Sequence, residues 1–161
     1  MRVFRILKSK HAANPLSGDG ARLAGGRWNS PGRSVVYTGG SLALAQLEIL
    51  VHLPDPGMLL QSYHYAEIFV PDTCIARLDA ARLPQDWRTP ENPACKEAGD
   101  RWLEKATAAA LLVPSAVVLD EDNLLLNPEH PDFPGIKANP ARPLLFDPRL
   151  GSWSHPKPED E

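Results

Sequence analysis

No stretch of the chain approaches the roughly 18 consecutive apolar residues that span a bilayer, and the opening MRVFRILKSKHAANP is too short and interrupted in its apolar part for a signal peptide. Two cysteines, Cys74 and Cys95, make neither a disulfide framework nor a zinc site. Their scarcity fits reduced thiols and a cytoplasmic protein. His64 and His130 lack metal-ligand spacing, so no metal is expected. The phosphate-cradling patterns GxGxxG and GxxxxGK[ST] are absent, as are internal repeats and any linker between two cores. These absences argue against a membrane span, a secreted disulfide scaffold, a metalloenzyme and a Rossmann or P-loop nucleotide site.

What is there is a chain of 161 residues, 43% apolar and 23% charged, which suits one folded domain with a real core. Net charge is −3, unevenly spread. Through Arg33, seven basic residues face one acid, Asp19, giving +6, so the remainder carries −9. A basic third within an acidic protein can attract a small anion or an acidic partner, or simply form a solvated face; it does not argue for direct DNA binding. Seventeen prolines are about twice the usual share of roughly 5%. Eight of them follow residue 127, so the C-terminal third should be irregular.

Residues 2–7 (RVFRIL), 35–38 (VVYT) and 62–70 (SYHYAEIFV) read as strands, and residues 11–34 as a long loop. Ser41 is a candidate N-cap for a helix to about Leu53, with Pro54 and Pro56 beyond as its stop. A second helix is expected over 93–109, with Pro93 near its first turn. One strand should lie within 111–119 and a short last one at 143–146, whereas NLLLNPEHPDF (123–133) reads as turn-rich. Interleaved short strands and two helices imply an α+β domain over 1–150, with an irregular tail at 151–161.

On a wheel at about 100° per residue with Ser41 at zero, large apolar residues of the first helix occupy roughly 80–300°. Glu48, near 340°, and His52, near 20°, share a narrow stripe. The pattern predicts burial on most sides, with that stripe forming either a thin solvent seam or the wall of a cavity. A carboxylate there is costly unless paired, and Arg27 and the Tyr37 hydroxyl are the nearest candidates in sequence.

Residues 25–48, GGRWNSPGRSVVYTGGSLALAQLE, concentrate the chemistry. Two glycines permit close backbone approach to a ligand before Arg27, whose guanidinium suits a phosphate. The alternative is a surface arginine covering Trp28, itself read as core. Asn29 and Ser30 precede Pro31 and shape the turn. Tyr37 either stacks on a flat heterocycle or is a core tyrosine with a satisfied hydroxyl. Ser115, in VPSAVVLDEDN, has no histidine–acid pair positioned to activate it, so a hydrogen-bonding role suits it better than a nucleophile's. Asn123, Asn127 and His130 read as residues that hold loop backbone.

Taken in order, GGRWNSPG, VVYT, SLALAQLE, VPSAVV and NLLLNPEHPDF resemble the RES domain, from the first strand to about residue 146. The family is named for an arginine, a glutamate and a serine, which fall here on Arg27, Glu48 and Ser115. The resemblance implies a fold like that of ADP-ribosyltransferases and diphtheria-type toxins, a small split β-core with a cleft for NAD+. It also implies a toxin of a bacterial toxin–antitoxin pair, whose partner is an Xre-type antitoxin with a helix-turn-helix domain; a homodimer within that complex is left open. The implied activity is cleavage of the nicotinamide–ribose bond of NAD+ by water or phosphate, with ADP-ribosylation of a protein as the alternative. A non-catalytic module that binds a nucleotide or the antitoxin is the rival from another class. On the enzymatic reading the catalytic set is Glu48, Arg27, Tyr37 and Ser115, and the substrate-binding set is Arg27, Tyr37, Ser115, Asn29 and Ser30. Arg27 would meet the pyrophosphate, Tyr37 the nicotinamide ring, Glu48 the ribose hydroxyls and developing positive charge, and Ser115 would orient the nicotinamide or its ribose.

Overall fold

The computed structural model describes residues 1–53 and 62–151. The expected stop at Pro54 and Pro56 lies outside them, as does all but the first residue of the expected tail. Among these residues eight strands form one mixed sheet: β1 (Arg2–Lys8), β2 (Val36–Gly39), β3 (Tyr63–Phe69), β4 (Ile75–Arg77), β5 (Ala110–Pro114), β6 (Asp122–Leu126), β7 (Lys137–Ala138) and β8 (Arg142–Leu144). Their order is β4-β5-β6-β2-β1-β3-β7, with β8 also pairing β3. All pairings are antiparallel except β4–β5. Among the described residues three helices complete the α+β architecture: α1 (Asp19–Ala24), α2 (Leu42–Leu50) and α3 (Pro93–Lys105).

Directly opposed residues in an antiparallel pair share a face, so the register assigns the layers. Val3, Val36, Ile68, Leu112, Leu124 and Leu126 form one buried face, closed by Ile136 and Phe133 from the irregular C-terminal third. The other face is divided between two helices. Packed against α2 are Phe4, Ile6 and Tyr63, with Ala45 supplied by the helix. Packed against α3 are Leu111, Val113 and Leu125, with Cys95 and Trp102 from the helix and Trp28 from the preceding loop. Between these two clusters, Gly39 of β2 stands opposite Asn123 of β6.

The central strand β6 falls in the segment read as turns. Leu124, Leu125 and Leu126 are completely buried and serve both faces, each contributing on the order of 1.5–3 kcal/mol by leaving water. A three-leucine run between asparagines is too short to show a period. The 11–34 segment likewise contains α1, one and a half turns long.

Caps follow local chemistry. Ser41 Oγ accepts from Leu44 N at 3.0 Å at the start of α2, and Asn92 Oδ1 accepts from Ala94 N at 3.0 Å ahead of Pro93 at the start of α3. The expected burial of α2 on most sides is corrected by the structure. Leu44 and Ala45 are its buried residues, whereas Leu47 and Val51 beside its C-terminus are 41% and 56% exposed. The sheet therefore lies under the arc around Leu44, Ala45 and Glu48, the side with the fewest large apolar residues. The reason is closeness: Gly39 has no side chain, and a Cβ there would lie 3.0 Å from Ala45 N, so the small face of the helix seats on the strand. No helix among the described residues is long and apolar enough to cross a membrane.

Candidate active site

The loop before β2 is built by close approaches. Gly25 has φ +73°, in the left-handed region that favours glycine. A Cβ on Gly26 would lie 2.5 Å from Tyr37 Oη. The close approach that the double glycine permits is therefore to Tyr37. On the far side, a Cβ on Gly99 of α3 would lie 1.8 Å from Trp28 O, so helix and loop meet backbone to backbone. Trp28 is 2% exposed and packs beside Trp87, ring centroids 6.2 Å apart, in keeping with its reading as core.

Asn29 and Ser30 are held by the fold. Asn29 is fully buried. Its Nδ2 donates to Ala21 O, Ser30 O and Arg33 O at 2.9–3.1 Å. Its Oδ1 accepts from Tyr37 Oη at 2.7 Å. Ser30 Oγ donates to Asp100 Oδ2 at 2.5 Å and Ser30 N to Asp100 Oδ1 at 2.9 Å, which ties the loop to α3. Tyr37 Oη also accepts from Trp28 N at 3.0 Å. Burial pushes the Tyr37 phenol above its ordinary range, opposed by the adjacent Trp28 amide.

Arg27 reaches across to the segment before α3. Its Nη1 donates to Trp87 O and Thr89 O, both at 2.9 Å, and its Nη2 to Arg88 O at 3.2 Å. These three bonds use three of the five guanidinium N–H groups. Arg88, in the same segment, donates through Nε and Nη2 to Ala116 O at 3.1 and 2.9 Å. Residues 87–89 thus strap Arg27 to the turn that carries Ser115.

Glu48 and Ser115 meet directly. Ser115 is completely buried, and its Oγ donates to Glu48 Oε1 at 2.9 Å while accepting from Val117 N and Val118 N, both at 3.0 Å. Its hydroxyl proton is given to a carboxylate of the protein itself. The same Oε1 accepts from Asn123 Nδ2 at 2.5 Å. Glu48 is half-buried, and no cation lies within ion-pair distance of it among the described residues. The expectation that Arg27 or Tyr37 pairs with it is thereby corrected, because the Arg27 guanidinium is engaged by the 87–89 carbonyls and the Tyr37 hydroxyl by Asn29 and Trp28.

The two halves remain neighbours. Tyr37 opposes Leu125 and Gly39 opposes Asn123, so Tyr37 and Asn123 are diagonal neighbours on one face, about 7–8 Å apart. Asn123, expected from the sequence to hold loop backbone, instead lies in β6 and donates to Glu48. The available signal was a polar residue at one end of an apolar triplet, which also describes a loop. Two hollows of about 410 and 500 Å³ flank α3, and neither is lined by Glu48 or Ser115. Among the described residues, no group of three or more His, Cys, Asp or Glu side chains could hold a metal ion.

Comparison with known proteins gives a consistent picture. The RES domain matches residues 2–147. A protein of Sphingobium sp. (strain YBL2) named Prs ADP-ribosylating toxin is 44% identical over 144 residues, covering 87% of this chain and 89% of its own. A protein named Toxin Res from Yersinia enterocolitica serotype O:8 is 39% identical over 153 residues, covering 93% of this chain and 99% of its own. Another Toxin Res, from Photorhabdus laumondii subsp. laumondii, is 42% identical over 134 residues, with 83% and 85% covered. A chain in the crystal structure of the M. tuberculosis MbcT–MbcA toxin–antitoxin complex shares the fold with a TM-score of 0.76 at 22% identity, over 93% of this chain and 86% of that one.

Proposed function

This chain belongs to the RES domain family, and from that premise we propose that it is the toxin of a bacterial toxin–antitoxin pair and that it consumes NAD+ by cleaving the nicotinamide–ribose bond. The observation that carries the reading is the state of Glu48. Two neutral donors, Ser115 Oγ and Asn123 Nδ2, converge on Oε1, and no cation stands beside the carboxylate among the described residues. Such a group is suited to a partner that brings its own positive charge. In NAD+ the nicotinamide ring is cationic, and as it leaves, the charge passes to the ribose as a loose oxocarbenium ion. A fixed anion on that ribose stabilises the transition state.

The remaining roles follow from this one. Ser115 turns Glu48 through Oγ and is itself fixed by two backbone amides. Beyond the 87–89 carbonyls and the Cys95 thiol beside it, the Arg27 guanidinium would turn its remaining N–H to a diphosphate oxygen. The Tyr37 ring, on the face that carries Asn123, would meet the nicotinamide, while its hydroxyl keeps the 26–29 loop in place. Asn29 and Ser30 act by holding that loop. An antitoxin of Xre type would be the partner that restrains the activity in the cell.

The test is the loss of NAD+ on adding purified protein, with and without inorganic phosphate. Free nicotinamide with ADP-ribose, or with its phosphate when phosphate is supplied, supports the reading; intact NAD+ overturns it. A second reading, ADP-ribosylation of a protein, is favoured by the name of the Sphingobium relative. It predicts that label from NAD+ appears on protein rather than in free ADP-ribose.

A further inference from the structure

We propose that Asn123 is a positioning residue for Glu48, held at its place in β6 for the reaction and not for the fold; this rests on the proposed role of Glu48. Three observations carry it. The only side-chain hydrogen bond of Asn123 among the described residues is Nδ2 to Glu48 Oε1, at 2.5 Å. Its other polar atom, Oδ1, is buried with no hydrogen-bond partner. On the β2 side its neighbour is Gly39, which has no side chain to bond it, and on the β5 side it is Val113, whose side chain is apolar.

An asparagine retained for stability would satisfy both ends of its amide, because a buried unpaired carbonyl oxygen is a net cost to the folded state. Asn29, in the same chain, shows the contrast: its amide is bonded at both ends. Asn123 gives one donor to a carboxylate and leaves its acceptor orphaned. That arrangement has a use at the site. Two donors on a single oxygen fix the carboxylate plane and hold Oε1, leaving Oε2 to meet the substrate. Ser115 approaches Glu48 from the β5–β6 turn and Asn123 from the strand itself, so the second donor removes the rotation about the side chain that one bond would allow. No substrate contact is required of Asn123, and its effect is carried through the orientation of Glu48.

Positioning and stability then have opposite signatures. Asn123→Ala removes the orphaned acceptor together with the donor. Asn123→Asp keeps the shape but replaces the donor by an acceptor and sets a second carboxylate against Glu48, which turns the acid away by repulsion. Both should lower kcat about 10- to 100-fold, the scale for a misplaced reacting group, with KM changed less than about threefold. The melting temperature of Asn123→Ala should be unchanged or higher. A kcat within about twofold of the unsubstituted chain, or an Asn123→Ala melting temperature lower by more than about 5 °C, would overturn the proposal. Turnover of NAD+ by the unsubstituted chain tests the function separately. If that chain turns nothing over, a crystal structure of Asn123→Ala decides. A Glu48 side chain rotated off Ser115 supports positioning, and one in its original place ends the proposal.

Discussion

Ser115 Oγ donates to Glu48 Oε1 at 2.9 Å, joining the turn after β5 to the last turn of α2 across 67 residues of chain. The bond makes the serine a holder of the acid. Glu48→Gln keeps the shape of the side chain and an oxygen for both donors, but removes its charge. We expect NAD+ loss to fall by at least about 100-fold, with the melting temperature within a few degrees. NAD+ consumption measured beside a thermal melt checks this, and full activity in the variant would remove Glu48 from the mechanism.

Arg27 links the candidate site to the 87–89 segment, so its removal should act twice. Arg27→Ala should raise KM for NAD+ about tenfold or more and speed hydrogen exchange of the backbone amides at 87–92, with a loss of about 1–3 kcal/mol in stability. Arg27→Lys keeps the charge but not the fork that reaches three carbonyls, and should recover only part of either effect. Unchanged KM and kcat alongside a lowered melting temperature would make Arg27 structural alone.

Gly99→Ala separates local preference from packing. In an isolated helix the change stabilises by about 0.8–1.0 kcal/mol. Here the new Cβ would lie 1.8 Å from Trp28 O, so α3 must move away from the loop that carries Arg27. A net loss of about 2–3 kcal/mol is expected in denaturant unfolding. A gain in stability would show that the loop and α3 do not meet at this point.

Tyr37 couples the fold to alkaline pH. Burial raises its phenol above the ordinary range, whereas in the unfolded chain it ionises near about pH 10. The folded chain therefore keeps a proton that the unfolded chain gives up. The resulting stabilisation is complete below about pH 10 and declines as pH rises past it. Tyr37→Phe, which loses the bonds to Asn29 and Trp28, should melt lower at pH 7 yet lose stability less steeply above pH 10. Melts taken from pH 7 to 11 check this, and equal slopes for the two chains would contradict it.

Much of the local structure was legible. Ser41 and Pro93 mark helix starts, RVFRIL and VVYT make the strands they suggest, and proline density foretells an irregular C-terminal third with strands of two and three residues. The central strand β6 was not legible, because three leucines between asparagines carry no period and gain their meaning only from neighbours on both sides. The burial of α2 was read backwards for a related reason. The wheel counts large apolar side chains, but the helix seats where it can come closest, and closeness favoured Ala45 over Gly39.

By itself, the sequence determined which chemistry the chain carries and where its short-range signals begin elements, since caps and alternation act within a few residues. Only the tertiary structure decided who holds whom. Glu48 meets Ser115 and Asn123, 67 and 75 residues away, and Arg27 meets carbonyls about sixty residues on. Partners at such separations are chosen by sheet register and by backbone contacts at glycines, and neither leaves a mark in the residues nearby.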